Sequence, residues 1–125
     1  MSLPAPEALR RGWCPGALRP METGDGWLVR VSPPPGLLAP AALRLLADLA
    51  ERHGNGLVEI SARGNLQLRG VTPDSHKPLV EALIESGLVQ PDEPPGPQRL
   101  TLTAPLAGHD PADRLDAAAL AGAIE

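Results

Sequence analysis

The side chains of this chain best suited to chemistry are arginines placed where β-strands would carry them. Arg30, Arg63, Arg69 and Arg99, with the amide of Gln67 among them, sit in the alternating stretches "WLVRVS", "LVEISARGNLQLRG" and "RLTLT". A guanidinium is a flat fork of donors that grips a carboxylate or phosphate through two parallel hydrogen bonds. Several forks on one surface suit a polyanion, each charge-assisted bond contributing ~1.5–3 kcal/mol. Left unneutralised, like charges facing each other across a sheet cost ~0.2–1 kcal/mol per pair. Glu59 is the one acid that the alternation puts beside them, and its ordinary role is an ion pair to Arg69 or Arg30.

The remaining chemistry-bearing residues form no constellation. His53 closes a helical pattern, His76 falls in the first turn of another and His109 in a loop, none with a metal-ligand spacing. Asp48, Glu51, Glu81 and Glu85 lie on the wet faces of helices. Cys14 is the only cysteine, which excludes a disulfide framework. It reads as a partly buried free thiol.

The arginines converge only if the strands that bear them share a sheet. Residues 27–32 alternate, with Trp27, Val29 and Val31 on one side and Leu28, Arg30 and Ser32 on the other. After "PPPG", Pro40 opens a helix whose apolar stripe is Leu43, Leu46, Leu49 and Ala50, and His53 with Gly54 ends it. Residues 57–62 and 66–71 are too close in sequence to be joined by anything but a hairpin turn. A second helix is expected from about Ser75, with Pro78 in its first turn and Leu79, Val80, Leu83 and Ile84 buried. Gly87-Leu88 reads as a Schellman ending. Residues 99–103 form a last strand. The order β-α-β-β-α-β predicts an α+β, ferredoxin-like antiparallel sheet with two helices on one face. The helices must cover the apolar alternates, so Arg30, Arg63, Gln67, Arg69 and Arg99 fall on the opposite, helix-free face, with Ser61, Thr101 and Thr103.

Composition narrows the anion. The 125 residues carry a formal net charge of -4, which gives no electrostatic reason to expect nucleic acid or an anionic membrane. RNA-binding sheets of this topology stack bases on aromatic side chains, and this chain has only Trp13 and Trp27, the latter facing the helices. Phosphate-cradling glycine loops are absent. A compact ligand with several carboxylates fits best. No apolar run suits a signal peptide or a membrane span, so the expected setting is cytoplasmic. The expected organisation is an N-terminal extension over 1–20 with a "GWCPG" signature, a half-domain over 21–106, and a helical linker starting within 107–125. That last stretch opens on Asp110 as N-cap and Pro111, and stops in mid-pattern.

The stretches "RRGWCPGALRPMETGDGWLVRV" and "ERHGNGLVEISARGNLQLRGV" resemble the N-terminal part of the precorrin-3B synthase family, within the nitrite and sulfite reductase superfamily. The resemblance runs from about Arg10 to Leu106. The superfamily pattern has an arginine in its first strand, an "(S/T)-x-R-x-x-x-Q" hairpin and an arginine opening the last strand. These match Arg30, Ser61 with Arg63 and Gln67, and Arg99. The sequence departs from the sulfite reductases at Gly64-Asn65-Leu66, and at Arg69, where their pattern commonly has His. Both departures favour the synthase branch.

The resemblance implies an oxygen-dependent monooxygenase of aerobic cobalamin biosynthesis that hydroxylates precorrin-3A with closure of a γ-lactone. It also implies that Arg30, Arg63, Gln67, Arg69 and Arg99 help hold the carboxylates of that tetrapyrrole. The family's [4Fe–4S] cluster is held by four cysteines in its C-terminal half, so none is expected on this chain. The implied partners are precorrin-3A and a downstream half-domain. Without that mate the chain is expected to self-associate and, alone, to be inactive. Two other readings stay open: part of a sirohaem-dependent sulfite or nitrite reductase, or a non-enzymatic ferredoxin-like regulatory domain that binds a metabolite.

Overall fold

The computed structural model describes residues 15–32 and 38–93, together with 111, 112, 114–116, 119, 120 and 123. Within these, six elements follow one another: β1 (Met21–Thr23), β2 (Gly26–Val31), α1 (Pro40–His53), β3 (Val58–Ile60), β4 (Leu66–Val71) and α2 (Pro73–Glu85). The sheet is antiparallel throughout, in the order β1-β2-β4-β3. β2 and β3 therefore run parallel with β4 between them, the split β-α-β arrangement of a ferredoxin-like fold. The expected strand over 99–103, with Arg99, lies outside the described residues. The short β1 was not expected, and it occupies the edge beside β2.

One apolar cluster joins sheet to helices: Val29 and Val31 from β2, Leu66, Leu68 and Val71 from β4, Leu46, Leu49 and Ala50 from α1, Leu79 and Leu83 from α2. Both helices thus cover the same face, as the alternation required. Burying each such aliphatic side chain contributes ~1.5–3 kcal/mol. Leu43 departs from the expected stripe. It is 47% exposed, while Leu45 packs partly against the core instead.

The hairpin register pairs Val58 with Leu68, Glu59 with Gln67 and Ile60 with Leu66. Ser61 and Asn65 close it, the Ser61 N–H donating to Asn65 O (2.8 Å) and the Asn65 N–H to Ser61 Oγ (3.0 Å). Between β2 and β4 the register shifts: Val29 opposes Leu68, but Trp27 opposes Val71. The extra residue in β4 is a bulge at Arg69-Gly70, with Gly70 at φ +70. A bulge resets the two-residue phase, which explains why apolar residues recur at 66, 68 and then 71. It is held from behind by the exit of α1, where the Asn55 N–H donates to Arg69 O (2.9 Å). A Cβ on Gly70 would meet Asn55 Cβ at 2.8 Å.

α2 begins two residues earlier than the sequence suggested. Thr72 is its N-cap in a capping box with Ser75, and Pro73 takes the first turn, where a missing N–H is harmless. Pro78 consequently lies inside the helix. The other end is the expected Schellman motif: Gly87, at φ +82, donates to Ile84 O (3.0 Å) and Leu88 to Leu83 O (3.1 Å). In the C-terminal stretch the Ala119 N–H donates to Asp116 Oδ1 (3.1 Å), whereas Asp110 lies outside the described residues. No described helix is long and apolar enough to cross a membrane.

Candidate functional site

The helix-free face carries a connected row of polar groups. Arg30 stands opposite Gln67 across β2 and β4, and Glu59 stands opposite Gln67 across β3 and β4. Register therefore sets the three side chains in line. Gln67 Oε1 accepts from Arg30 Nε (3.0 Å) and Nη2 (2.6 Å), and Gln67 Nε2 donates to Glu59 Oε2 (3.3 Å). Two residues along β4, Arg69 Nε donates to Glu59 Oε1 at 2.7 Å. Arg69 Nη1 lies 3.7 Å from Asp25 Oδ1, so the row runs from β2 through both hairpin strands to the β1–β2 turn.

Asp25 corrects the expectation that Glu59 is the one acid on this face. It enters because the chain folds back at Gly24-Asp25 to form β1 and β2. The Thr23 hydroxyl, 2.6 Å from Asp25 Oδ1, is the main cause that lowers the Asp25 carboxyl below its ordinary range. Desolvation is the next largest effect and opposes it, while the residue's own N–H and Arg69 add smaller lowering effects. Arg69 is thus compensated by two carboxylates.

Arg30 is not. Its one described side-chain partner is a neutral amide, and Gln67 is itself 92% buried (8% exposed). A guanidinium has five N–H donors. Two of them, on Nε and Nη2, are held by Gln67, and the others meet no described residue. The arrangement fixes the plane of the fork while leaving charge and donors open, which is what bidentate capture of a carboxylate requires. Arg63 does not join the row. The strand ends at Ile60, and Arg63 lies exposed in the 62–64 turn without an ion pair to any described residue. Ser61 spends its hydroxyl on the Asn65 N–H. The structure brings together Arg30, Gln67 and Arg69, places Arg63 at the hairpin tip, and leaves Arg99 outside the described residues.

His76, expected merely in a first helical turn, is 1% exposed and packs edge-on against Trp27 with ring centroids 5.4 Å apart. Burial pushes its pKa down, and a hydrogen bond from Nε2 to Ala17 O (2.9 Å) partly offsets this. Among the described residues its Nδ1 has no partner, and because a carbonyl oxygen only accepts, Nε2 carries the proton donated to Ala17 O. Among the described residues no group of three or more His, Cys, Asp or Glu could hold a metal ion.

Comparison with known proteins bears on the family of the chain. The model of the nitrite/sulfite reductase ferredoxin-like half domain matches residues 19–86, a span that contains Asp25, Arg30, Glu59, Arg63, Gln67 and Arg69. A protein named precorrin-3B synthase from Sinorhizobium sp is 43% identical over 110 residues, covering 87% of this chain and 23% of the relative. Ferredoxin–nitrite reductases from Leptolyngbya laminosa and Synechococcus elongatus are 28% and 31% identical over 117 and 108 residues. They cover 93% and 86% of this chain, and 23% and 21% of their own lengths. The chain spans less than a quarter of each of these relatives.

Proposed function

The chain belongs to the nitrite/sulfite reductase ferredoxin-like half-domain family, and from that premise we propose that its helix-free face supplies part of a carboxylate cradle for an acidic tetrapyrrole. The enzyme concerned is an oxidoreductase of the precorrin-3B synthase kind, the activity that the relative from Sinorhizobium sp is named for. The substrate is precorrin-3A, hydroxylated with molecular oxygen as a γ-lactone closes. The role of this chain is to bind and orient the substrate. Arg30, with its plane set by Gln67, takes one carboxylate through a forked contact. Arg69, already shared between Glu59 and Asp25, shapes the field beside it, and Arg63 reaches a second carboxylate from the hairpin tip. Arg99 completes the set.

The single observation that carries this reading is the Arg30–Gln67 pair, a buried neutral amide holding a cation that has donors to spare. A [4Fe–4S] cluster needs cysteine thiolates. One cysteine in the sequence does not fit that group, so the chain's own residues act on the macrocycle's rim and not at a cluster. The downstream half-domain is the natural mate of this one.

Titration of the full chain with uroporphyrin, an octacarboxylate, tests the cradle. Arg30→Ala should weaken binding about tenfold, the equivalent of one charge-assisted bond, and Arg63→Ala several-fold. Equal binding by wild type and both variants would overturn the assignment.

The similarity to two nitrite reductases supports a second reading, in which the same face borders a sirohaem. Visible absorption of the longer protein separates the two, because sirohaem has bands that an iron–sulfur cluster lacks.

A further inference from the structure

Outside the span matched by the family model, the backbone of Gly16, Ala17 and Leu18 wraps a carboxylate. Glu93, eight residues beyond the end of α2, places Oε2 3.0 Å from the Ala17 N–H and 3.1 Å from the Leu18 N–H, both of which donate to it. Successive N–H groups converging on one oxygen form a nest, a concavity that binds anions. Gly16 keeps it open, since a Cβ there would come within 3.1 Å of that same oxygen.

The nest is tied to the cradle. The Gly16 carbonyl accepts from the Arg30 N–H (3.2 Å), so a single peptide unit has Arg30 at one end and Glu93 at the other. Its far side is anchored as well, with Ala17 O bonded to buried His76. The receptor half of the contact is therefore held by β2 and α2, whereas the carboxylate comes from the irregular segment that follows α2.

We infer that the Ala17–Leu18 nest is a carboxylate subsite for the ligand and that Glu93 is its resident stand-in, displaced when a polycarboxylate seats on Arg30. This rests on the cradle reading above, because the incoming acid must first be held there. The exchange follows from effective concentration. A free monocarboxylate cannot compete with a Glu93 tethered at close range, whereas a second carboxylate of a ligand already fixed at Arg30 is itself tethered and competes on equal terms.

The test uses the full chain, wild type and Glu93→Ala, with circular dichroism confirming that both are folded. Acetate, followed by the backbone amide resonances of Ala17 and Leu18, should shift both signals saturably in Glu93→Ala and leave them unmoved in wild type. Uroporphyrin should bind Glu93→Ala about three- to tenfold more tightly than wild type, although the substitution removes two native hydrogen bonds. Glu93→Gln, which keeps the length but loses the charge, should fall between. Unresponsive Ala17 and Leu18 amides in Glu93→Ala, or uroporphyrin affinity equal to or below wild type in a folded variant, would overturn the inference. If uroporphyrin fails to bind any form, the Arg30 cradle falls, and the acetate response still decides whether the nest is an exchangeable carboxylate site.

Discussion

Gln67 holds Arg30 with one oxygen and Glu59 with one nitrogen: Oε1 receives both Nε and Nη2 of the arginine, at 3.0 and 2.6 Å, while Nε2 points 3.3 Å to the acid. The amide cannot turn over without setting its NH2 against the guanidinium. A neutral spacer between opposite charges keeps Arg30 from collapsing onto Glu59, so that acid does not neutralise its positive charge.

Removing that spacer should separate stability from binding. Gln67→Leu deletes hydrogen bonds to two charged groups and should cost ~1.5–3 kcal/mol in urea unfolding, with uroporphyrin affinity falling several-fold as Arg30 loses its orientation. Gln67→Glu supplies Arg30 with a counter-ion and should weaken uroporphyrin binding further than Gln67→Leu. Calorimetric titration of the two variants decides the matter, and tighter binding by Gln67→Glu would contradict the role given to the amide.

His76 predicts a pH dependence whose direction is fixed. Its folded pKa lies below the ordinary value of 6.5 because burial disfavours the cation, so on acidification the unfolded chain takes up the proton first. Stability from this group is complete above pH ~6.5 and declines as pH falls from there through the folded pKa. The urea midpoint should drop between pH 7.5 and 5.5 in wild type and change much less in His76→Gln. A midpoint that rises over that interval would refute it.

Two glycines with similar φ should respond differently to alanine. Gly70 and Gly87 sit at +70 and +82, but a Cβ at 70 would strike Asn55, whereas at 87 nothing lies within 4 Å. Gly87→Ala should cost only the left-handed backbone, about 1 kcal/mol. Gly70→Ala adds a clash with Asn55 and should exceed it by at least a further ~1 kcal/mol. Equal unfolding midpoints for the two variants would show that the bulge yields to accommodate the methyl group.

Much of this was legible in the sequence. Alternation in β2, and in β4 up to the bulge, identifies which residues face the helices, and with them Arg30, Gln67 and Arg69. Arg63 falls in the same row only if the count 59, 61, 63 runs past Ile60, where the strand has already ended and parity no longer governs direction. Asp25 was missed because it lies in a tight turn between strands, outside any periodic pattern. The start of α2 has a signal in Thr72-Pro73 with Ser75 at the third helical position, one that the apolar stripe, which begins further along the helix, does not carry. Leu43 kept helical spacing and yet lies at the stripe's exposed margin. His76 and the Glu93 contact join residues 59 and 76 positions apart in sequence, a distance that local patterns do not span.

Dimerisation through the open side of β3 belongs with the same proposal. Among the described strands β3 pairs only with β4, and its last residue, Ile60, is 74% exposed, a combination that invites edge pairing. The proposed occupant of that edge is a second copy of the chain. Light scattering should give the mass of two chains at high concentration and of one on dilution. A single-chain mass throughout would exclude it.

The extra residue at Gly70 divides β4 into two independently editable segments. All three pairs that align the arginine row with β3 lie before it, whereas the Trp27–Val71 pairing lies after it. A one-residue deletion there would return β4 to strict alternation with Val71 still opposite Trp27 and facing the interior, would disturb the bulge that Asn55 holds through Arg69 O, and would leave the order Arg30, Gln67, Glu59 unaltered. A length change at this point of the strand is therefore felt at the exit of α1 before it reaches the row of polar groups.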